Sequence, residues 1–130
     1  MTAALLLALA TVTATPCPSD PLIANPRLKV VRAHSFDNYI VTVDVKNDGD
    51  ATQPAGTVQH LELVQRGVVL GRQPVPLLGM QESYIAAFRV QLPHQSPRPP
   101  FAVEFRYVLD TRNAARANCN PSNDRLAATL

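Results

Sequence analysis

Tyr39-Ile40-Val41-Thr42-Val43-Asp44-Val45-Lys46-Asn47-Asp48-Gly49-Asp50 alternates apolar and polar residues with period two and ends on a glycine-containing turn. Successive side chains of a strand point to opposite faces. Tyr39, Val41, Val43 and Val45 therefore share one side, and Ile40, Thr42, Asp44 and Lys46 the other. One side belongs in a core and the other mostly in water, as in an antiparallel sheet covered on one face.

The same design recurs downstream. Ser83 to Leu92 alternates, with Tyr84, Ala86, Phe88, Val90 and Leu92 on one face and Ile85, Ala87, Arg89 and Gln91 on the other. Phe101 to Asp110 alternates again and brings Phe101, Val103, Phe105, Tyr107 and Leu109 together. Val58 to Val64 is a shorter strand with Leu61 and Leu63 inward, and Gln65-Arg66-Gly67 is a hairpin turn into Val68-Val69-Leu70. Upstream, Leu22-Ile23 and Leu28 to Ala33 supply the first strand, whose alternation slips at Val30-Val31 and predicts a bulge or a move between sheets there.

Pro74 and Pro76 make Gly71 to Pro76 an edge or exit segment. Pro93 to Pro100 (PHQSPRPP) is a stiff proline-rich loop, Thr111 to Asp124 an asparagine-rich one, and Arg125 to Leu130 a short last strand. No stretch sustains a helical period. About seven strands with turn signals roughly every ten residues predict an all-β fold, an immunoglobulin-like β-sandwich. Its predicted core is Val41, Val43, Val45, Leu61, Leu63, Phe88, Val90, Val103, Phe105, Tyr107 and Leu109.

A chain of 130 residues with 46% hydrophobic and 17% charged residues has room for one globular domain and one core. Only 5% is aromatic and there is no Trp, which leaves a sugar- or base-stacking platform poorly supplied. The net charge is +2 and the twelve basic residues form no run, so nucleic acid is not an expected partner.

Residues 1–14 (MTAALLLALATVTA) are uncharged and apolar from Ala3 to Ala10, too short to span a bilayer but suited to a secretory signal. No Lys or Arg precedes the apolar run, which departs from the usual signal pattern. The expected mature domain is residues 15–130, with a secreted, periplasmic or cell-surface location and no membrane span. Cys17 and Cys119 stand near the two ends of that domain, and an even count in an exported protein favours a disulfide. Two unrelated thiols, or a lipid on Cys17, are the alternatives the residues leave open. Against the lipid, Pro16 replaces the small residue that such an attachment site wants beside the cysteine.

Candidate chemistry is sparse. Asn47-Asp48-Gly49-Asp50 gathers oxygen-bearing side chains, but Ala51-Thr52-Gln53-Pro54 add none of the carboxylates a calcium loop requires. The segment is read instead as an Asx-stabilised turn with Gly49 at positive φ, leaving weak cation binding near Asp48 and Asp50, with Asp110, undecided. His34, His60 and His94, with Met80, lack the short spacing of a copper site, so no metal site is assigned. There is no Gly-x-Ser-x-Gly elbow, and Glu62, Glu82 and Glu104 fall on polar faces or turns rather than as a facing pair. No catalytic residue and no cofactor is predicted. Pro93 to Pro100 as a polyproline ligand segment, and the edge near Val68 to Val75 for strand addition, are the remaining binding features.

Three segments resemble CARDB, the cell-adhesion-related domain found in bacteria, an immunoglobulin-like family. They are Val41 to Thr52, similar to its V-x-V-x-V-x-N-x-G-D-A strand and turn; the hairpin of Leu61-Glu62-Leu63, Arg66-Gly67 and Val69 to Gly71; and Pro76 to Ser83, similar to its L-x-x-G-E-S turn with one residue more. Of the family's acidic, asparagine-rich tail, Asp110, Asn113, Asn118 and Asn123 keep part, while Arg116 and Cys119 stand in the region where its acids are lost. The resemblance spans roughly residues 22–130. It implies a non-catalytic adhesion or interaction module for a protein or surface polymer; the alternatives are a structural spacer without a ligand and a small periplasmic metal-binding protein. The oligomeric state is left open.

Overall fold

The computed structural model of the chain describes residues 18–110 and 117–130. Seven strands follow in order: β1 (Pro21–Arg32), β2 (Phe36–Asn47), β3 (Gln59–Gln65), β4 (Val68–Val75), β5 (Ser83–Pro93), β6 (Ala102–Leu109) and β7 (Arg125–Thr129), with a 3-10 turn at Pro121–Asn123 before β7. They form two antiparallel sheets, one of three strands ordered β1-β2-β5 and one of four ordered β4-β3-β6-β7. This is the predicted β-sandwich.

The period-two patterns explain how the layers close. Val41, Val43 and Val45 of β2, Leu61 and Leu63 of β3 and Phe105 of β6 are wholly buried between the sheets, joined by Phe88 of β5 and Val103 and Tyr107 of β6. The Phe88 and Phe105 rings lie 6.3 Å apart across the two sheets. Val90 and Leu109 are half-buried and pack against this cluster from its margins. Leu78, in the loop between β4 and β5, is fully buried as well. Loop residues carry no periodicity, so alternation does not reveal it.

One expectation shifts. The bulge in β1 lies between Ala24 and Arg27, not at Val30-Val31, which pair regularly with Tyr39 and Asn38. Pro26 cannot donate to the ladder and Asn25 takes φ of 54°, a left-handed conformation that asparagine tolerates better than most residues. Gly71 to Pro76 is the edge rather than the exit segment: β4, an edge strand, continues through Pro74 to buried Val75, since a missing N–H is harmless there. Arg66 and Gly67, with φ of 50° and 78°, make the two-residue hairpin loop whose twist suits antiparallel strands.

Candidate functional site

The turn that closes β2 is held by one side chain. Asn47 is fully buried, and its Oδ1 accepts the N–H groups of Asp20 and Gly49, each at 3.0 Å. Its Nδ2 donates to the carbonyls of Ala51 at 2.9 Å and Gly79 at 3.1 Å. One amide thus ties the lead-in to β1, the turn after β2 and the loop before β5. The bond to Gly49 is the expected Asx turn, but Gly49 does not have positive φ. A Cβ there would stand 2.5 Å from the carbonyl oxygen of Pro18, so the requirement is close backbone approach.

The outer face of the four-stranded sheet carries most of the arranged charge. Register places Arg72, Glu62, Arg106 and Arg125 in one row across β4, β3, β6 and β7. Arg72 Nε lies 3.3 Å from Glu62, Arg106 Nε donates to Glu104 at 2.8 Å, and Arg125 Nε stands 3.9 Å from the same Glu104 oxygen. Beside this row is an open depression of about 330 Å³, floored by Val64, Ala102 and Ala127 and rimmed by Arg66, Glu104 and Arg106. Val64 points outward by strand parity yet is only 2% exposed. The strand pattern finds these residues polar-face members but does not show that they form one surface, because cross-strand neighbours depend on register.

Comparison with solved structures fits this architecture. The CARDB domain of a Pyrococcus furiosus protein, solved in complex with di-metal ions, matches at a TM-score of 0.56 and 18% identity over 90% of this chain and 96% of that one. This chain has the CARDB fold. A β-glucosidase from Erythrobacter marinus matches more weakly, with a TM-score of 0.44 and 18% identity over 86% of this chain but 15% of its own. No family model and no curated protein matches the sequence.

Within this CARDB fold, the histidines do not converge. His60 on β3 is bonded through Nδ1 to Asp110 at 2.7 Å, with Glu62 3.9 Å from Nε2. His94 meets both carboxylate oxygens of buried Asp37, at 3.0 and 3.1 Å, at the opposite end of β2 from Asn47. His34 lies in the turn between β1 and β2, and Met80 is exposed. Among the described residues, no group of three or more His, Cys, Asp or Glu is placed to hold a metal. Asp48 pairs with Lys46 at 3.7 Å. Glu82 remains in its turn, its N–H donating to Gly79.

A buried polar cluster was not visible in the sequence. Gln53 and Gln59 exchange reciprocal amide bonds at 2.7 Å, Gln53 Oε1 also accepts the N–H of Leu78, and the Tyr107 hydroxyl bonds to Gln59 Oε1. Burial pushes the Tyr107 phenol well above its ordinary value. Gln59 shares strand parity with Leu61 and Leu63, the one signal of its inward direction; Gln53 carries none.

Cys17, Asn113, Arg116 and the expected signal segment 1–14 lie outside the described residues. Cys119 sits before the 3-10 turn, its N–H donating to Ser19 at 3.0 Å. Asn118 donates to Asp124 at 2.7 Å and Asn123 to Asp20 at 2.9 Å, so the tail asparagines fasten the last loop to the start of the domain. The proline-rich loop is anchored by Arg98, which lies 5.8 Å over the Tyr39 ring and donates to the Leu130 carbonyl. No helix among the described residues is long and apolar enough to cross a membrane.

Proposed function

We propose that this chain is a non-catalytic interaction module, exported from the cytoplasm, that binds a protein or surface polymer through the outer face of its four-stranded sheet. The observation that carries this reading is the depression at Val64, Ala102 and Ala127, whose lining also includes Arg66 and the Arg106–Glu104 pair. Glu62 and Glu104 are both held by arginines, which leaves neither as a free acid or base facing a cleft. Apolar residues beside Arg66, with Arg106 already paired to Glu104, suit a hydrogen-bond-accepting ligand that carries an anionic group for Arg66. Exposed charges of this kind steer encounter and select partners more than they add affinity, so binding is expected to weaken with salt.

The test is a binding screen of the purified chain against extracellular proteins and anionic surface glycans, repeated with Arg66→Glu and Arg125→Glu. Saturable binding that falls at least about tenfold in either variant is the expected result, a loss of roughly 1.4 kcal/mol. Saturable binding unchanged by both would place the surface elsewhere. Substrate turnover abolished by Glu62→Gln or Glu104→Gln would overturn the non-catalytic reading.

A further inference from the structure

The four strand edges of this sandwich are not alike. The edge of β1 is broken by the bulge at Asn25 and Pro26 and carries Arg27, Lys29 and Arg32. The edge of β4 has a register shift opposite Leu63 and Val64 and contains Pro74. β7 is only five residues long. Proline, bulges, clustered charge and shortness are the devices by which sheet edges avoid pairing with other chains. β5 lacks them: it runs eleven residues, pairs with β2 without a register shift, and has proline only at its last position.

The free backbone groups of β5 can be assigned. Facing residues of an antiparallel pair alternately exchange both backbone hydrogen bonds or neither. At one end of the β2–β5 ladder the N–H of Asn47 donates to Glu82, and at the other the N–H of His94 donates to Ser35. Both bonds join odd-numbered residues of the β2 side to even-numbered residues of the β5 side. Tyr84, Ala86, Phe88 and Val90 therefore direct their backbone groups toward β2. Ser83, Ile85, Ala87, Arg89 and Gln91 direct theirs away from it, and among the described residues no strand hydrogen-bonds β5 on that side. These five residues are also exposed, Ile85 to 60%.

We infer that this edge is a self-association surface, on which β5 of a second copy of the chain pairs antiparallel about a two-fold axis at Ala87. In that register Ala87 faces Ala87, Ile85 faces the partner's Arg89 and Ser83 faces the partner's Gln91. All five edge residues find a backbone partner. Arg89 is the only charged residue among them, and here its aliphatic stem covers Ile85 while the guanidinium stays in water. An axis at Arg89 would set two guanidinium groups against each other and place Ile85 opposite Pro93, which has no N–H. An axis at Phe88 would set Ser83 opposite Pro93, and an axis at Ala86 or Ile85 would leave Gln91 without a facing strand residue. Pairing at Ala87 joins two three-stranded sheets into one of six, with β1 at both ends. Those outer edges are the bulged, proline-bearing ones, so assembly closes at two copies.

The test is sedimentation equilibrium of the full chain over increasing concentration, with amide hydrogen exchange measured at the same concentrations. The expected result is a monomer–dimer equilibrium in which the Ile85, Ala87 and Arg89 amides gain protection as the dimer forms. Ala87→Pro removes an edge N–H that the β2 ladder does not use, and should abolish the dimer. Ile85→Lys puts a cation opposite the partner's Arg89 and should do the same if the proline variant folds poorly. A chain that stays monomeric to roughly millimolar concentration would overturn the inference. So would a dimer that persists in the folded Ile85→Lys variant with its edge amides still exchanging freely, or edge protection that appears only when another protein is added.

Discussion

The Asn47 side chain accepts the backbone N–H of Asp20 at 3.0 Å, twenty-seven residues away in sequence. With its bonds to Gly49, Ala51 and Gly79, this turns an asparagine at a strand end into a joint between three separate segments. Asn47→Ala would remove a partner from backbone groups in all three, of which the Gly49 N–H and the Leu78 carbonyl are buried. Each such group costs about 1–3 kcal/mol, so a loss of at least about 2 kcal/mol is expected. Urea unfolding of the purified variant measures it, and a loss below about 0.5 kcal/mol, the size of an ordinary surface change, would show that water replaces the amide.

Gly49 and Gly67 make a matched contrast. A Cβ on Gly49 would collide with backbone atoms of Pro18 and Ser19, whereas one on Gly67 would meet open space at φ of 78°. Gly67→Ala should therefore cost about 1 kcal/mol from backbone strain alone. Gly49→Ala forces a backbone shift and should cost about 2–4 kcal/mol. Thermal unfolding of the two variants side by side reads the difference, and equal losses would refute the close-approach account.

How much of this was legible in the sequence follows from the physics of strands. The inward faces of β2, β5 and β6 were readable because alternation reports burial directly: Val41, Phe88 and Phe105 are where the period places them. The N-x-G turn was legible as a turn, but the role of Gly49 was not, since its neighbour is Pro18, far back in the chain. The bulge in β1 falls at Asn25-Pro26 rather than at Val30-Val31 because a missing N–H and a left-handed residue interrupt a ladder, whereas a slip in apolar pattern alone does not. The Arg72–Glu62–Arg106–Arg125 row depends on register between four strands, which no local pattern encodes. Leu78 and Gln53 lie in loops with no sequence period, and only its parity with Leu61 and Leu63 marks Gln59 as inward.

Phe105 has no exposed surface and its ring faces Phe88 across the two sheets at 6.3 Å. Phe105→Ala removes that contact and opens a cavity in the middle of the core, at an expected cost of about 3–5 kcal/mol. Chemical denaturation measures it. A near-neutral result would mean that β6 relaxes into the space.

Two aspartates should respond to acid with opposite signs. The hydrogen bond from Arg27 holds the Asp44 carboxyl below its ordinary value of 3.8, outweighing the opposing effect of burial. A group with a depressed folded pKa contributes stability above its unfolded pKa and loses it as pH falls through the folded one. Asp124 is raised by burial, with the nearby Asp20 carboxylate adding to the shift, so its charge costs stability at neutral pH and the cost disappears on acidification. Asp44→Asn should destabilise at pH 7 and have little effect in strong acid. Asp124→Asn keeps an acceptor for Asn118 and should be neutral or stabilising at pH 7. Unfolding free energy measured from neutral pH into the acid range decides both, and the same sign for the two variants would be inconsistent with these shifts.

The bond from the Cys119 N–H to the Ser19 carbonyl sets Cys119 beside a residue two positions past Cys17. That adjacency supports the proposed Cys17–Cys119 disulfide, which would close a loop of about 100 residues and restrict the unfolded chain by ~4–5 kcal/mol in the chain-entropy picture. Cys119→Ser should then lower the unfolding free energy substantially in oxidising buffer and leave it unchanged relative to wild type under reductant. Intact mass supplies the independent reading. A chain beginning near Thr15 and two hydrogens lighter before reduction is the expected product of export and oxidation. A mass that includes Met1 and does not change on reduction would remove both proposals and send the search for partners into the cytoplasm. An added acyl mass on Cys17 would instead make the domain a membrane-tethered one, with Cys119 left to another role.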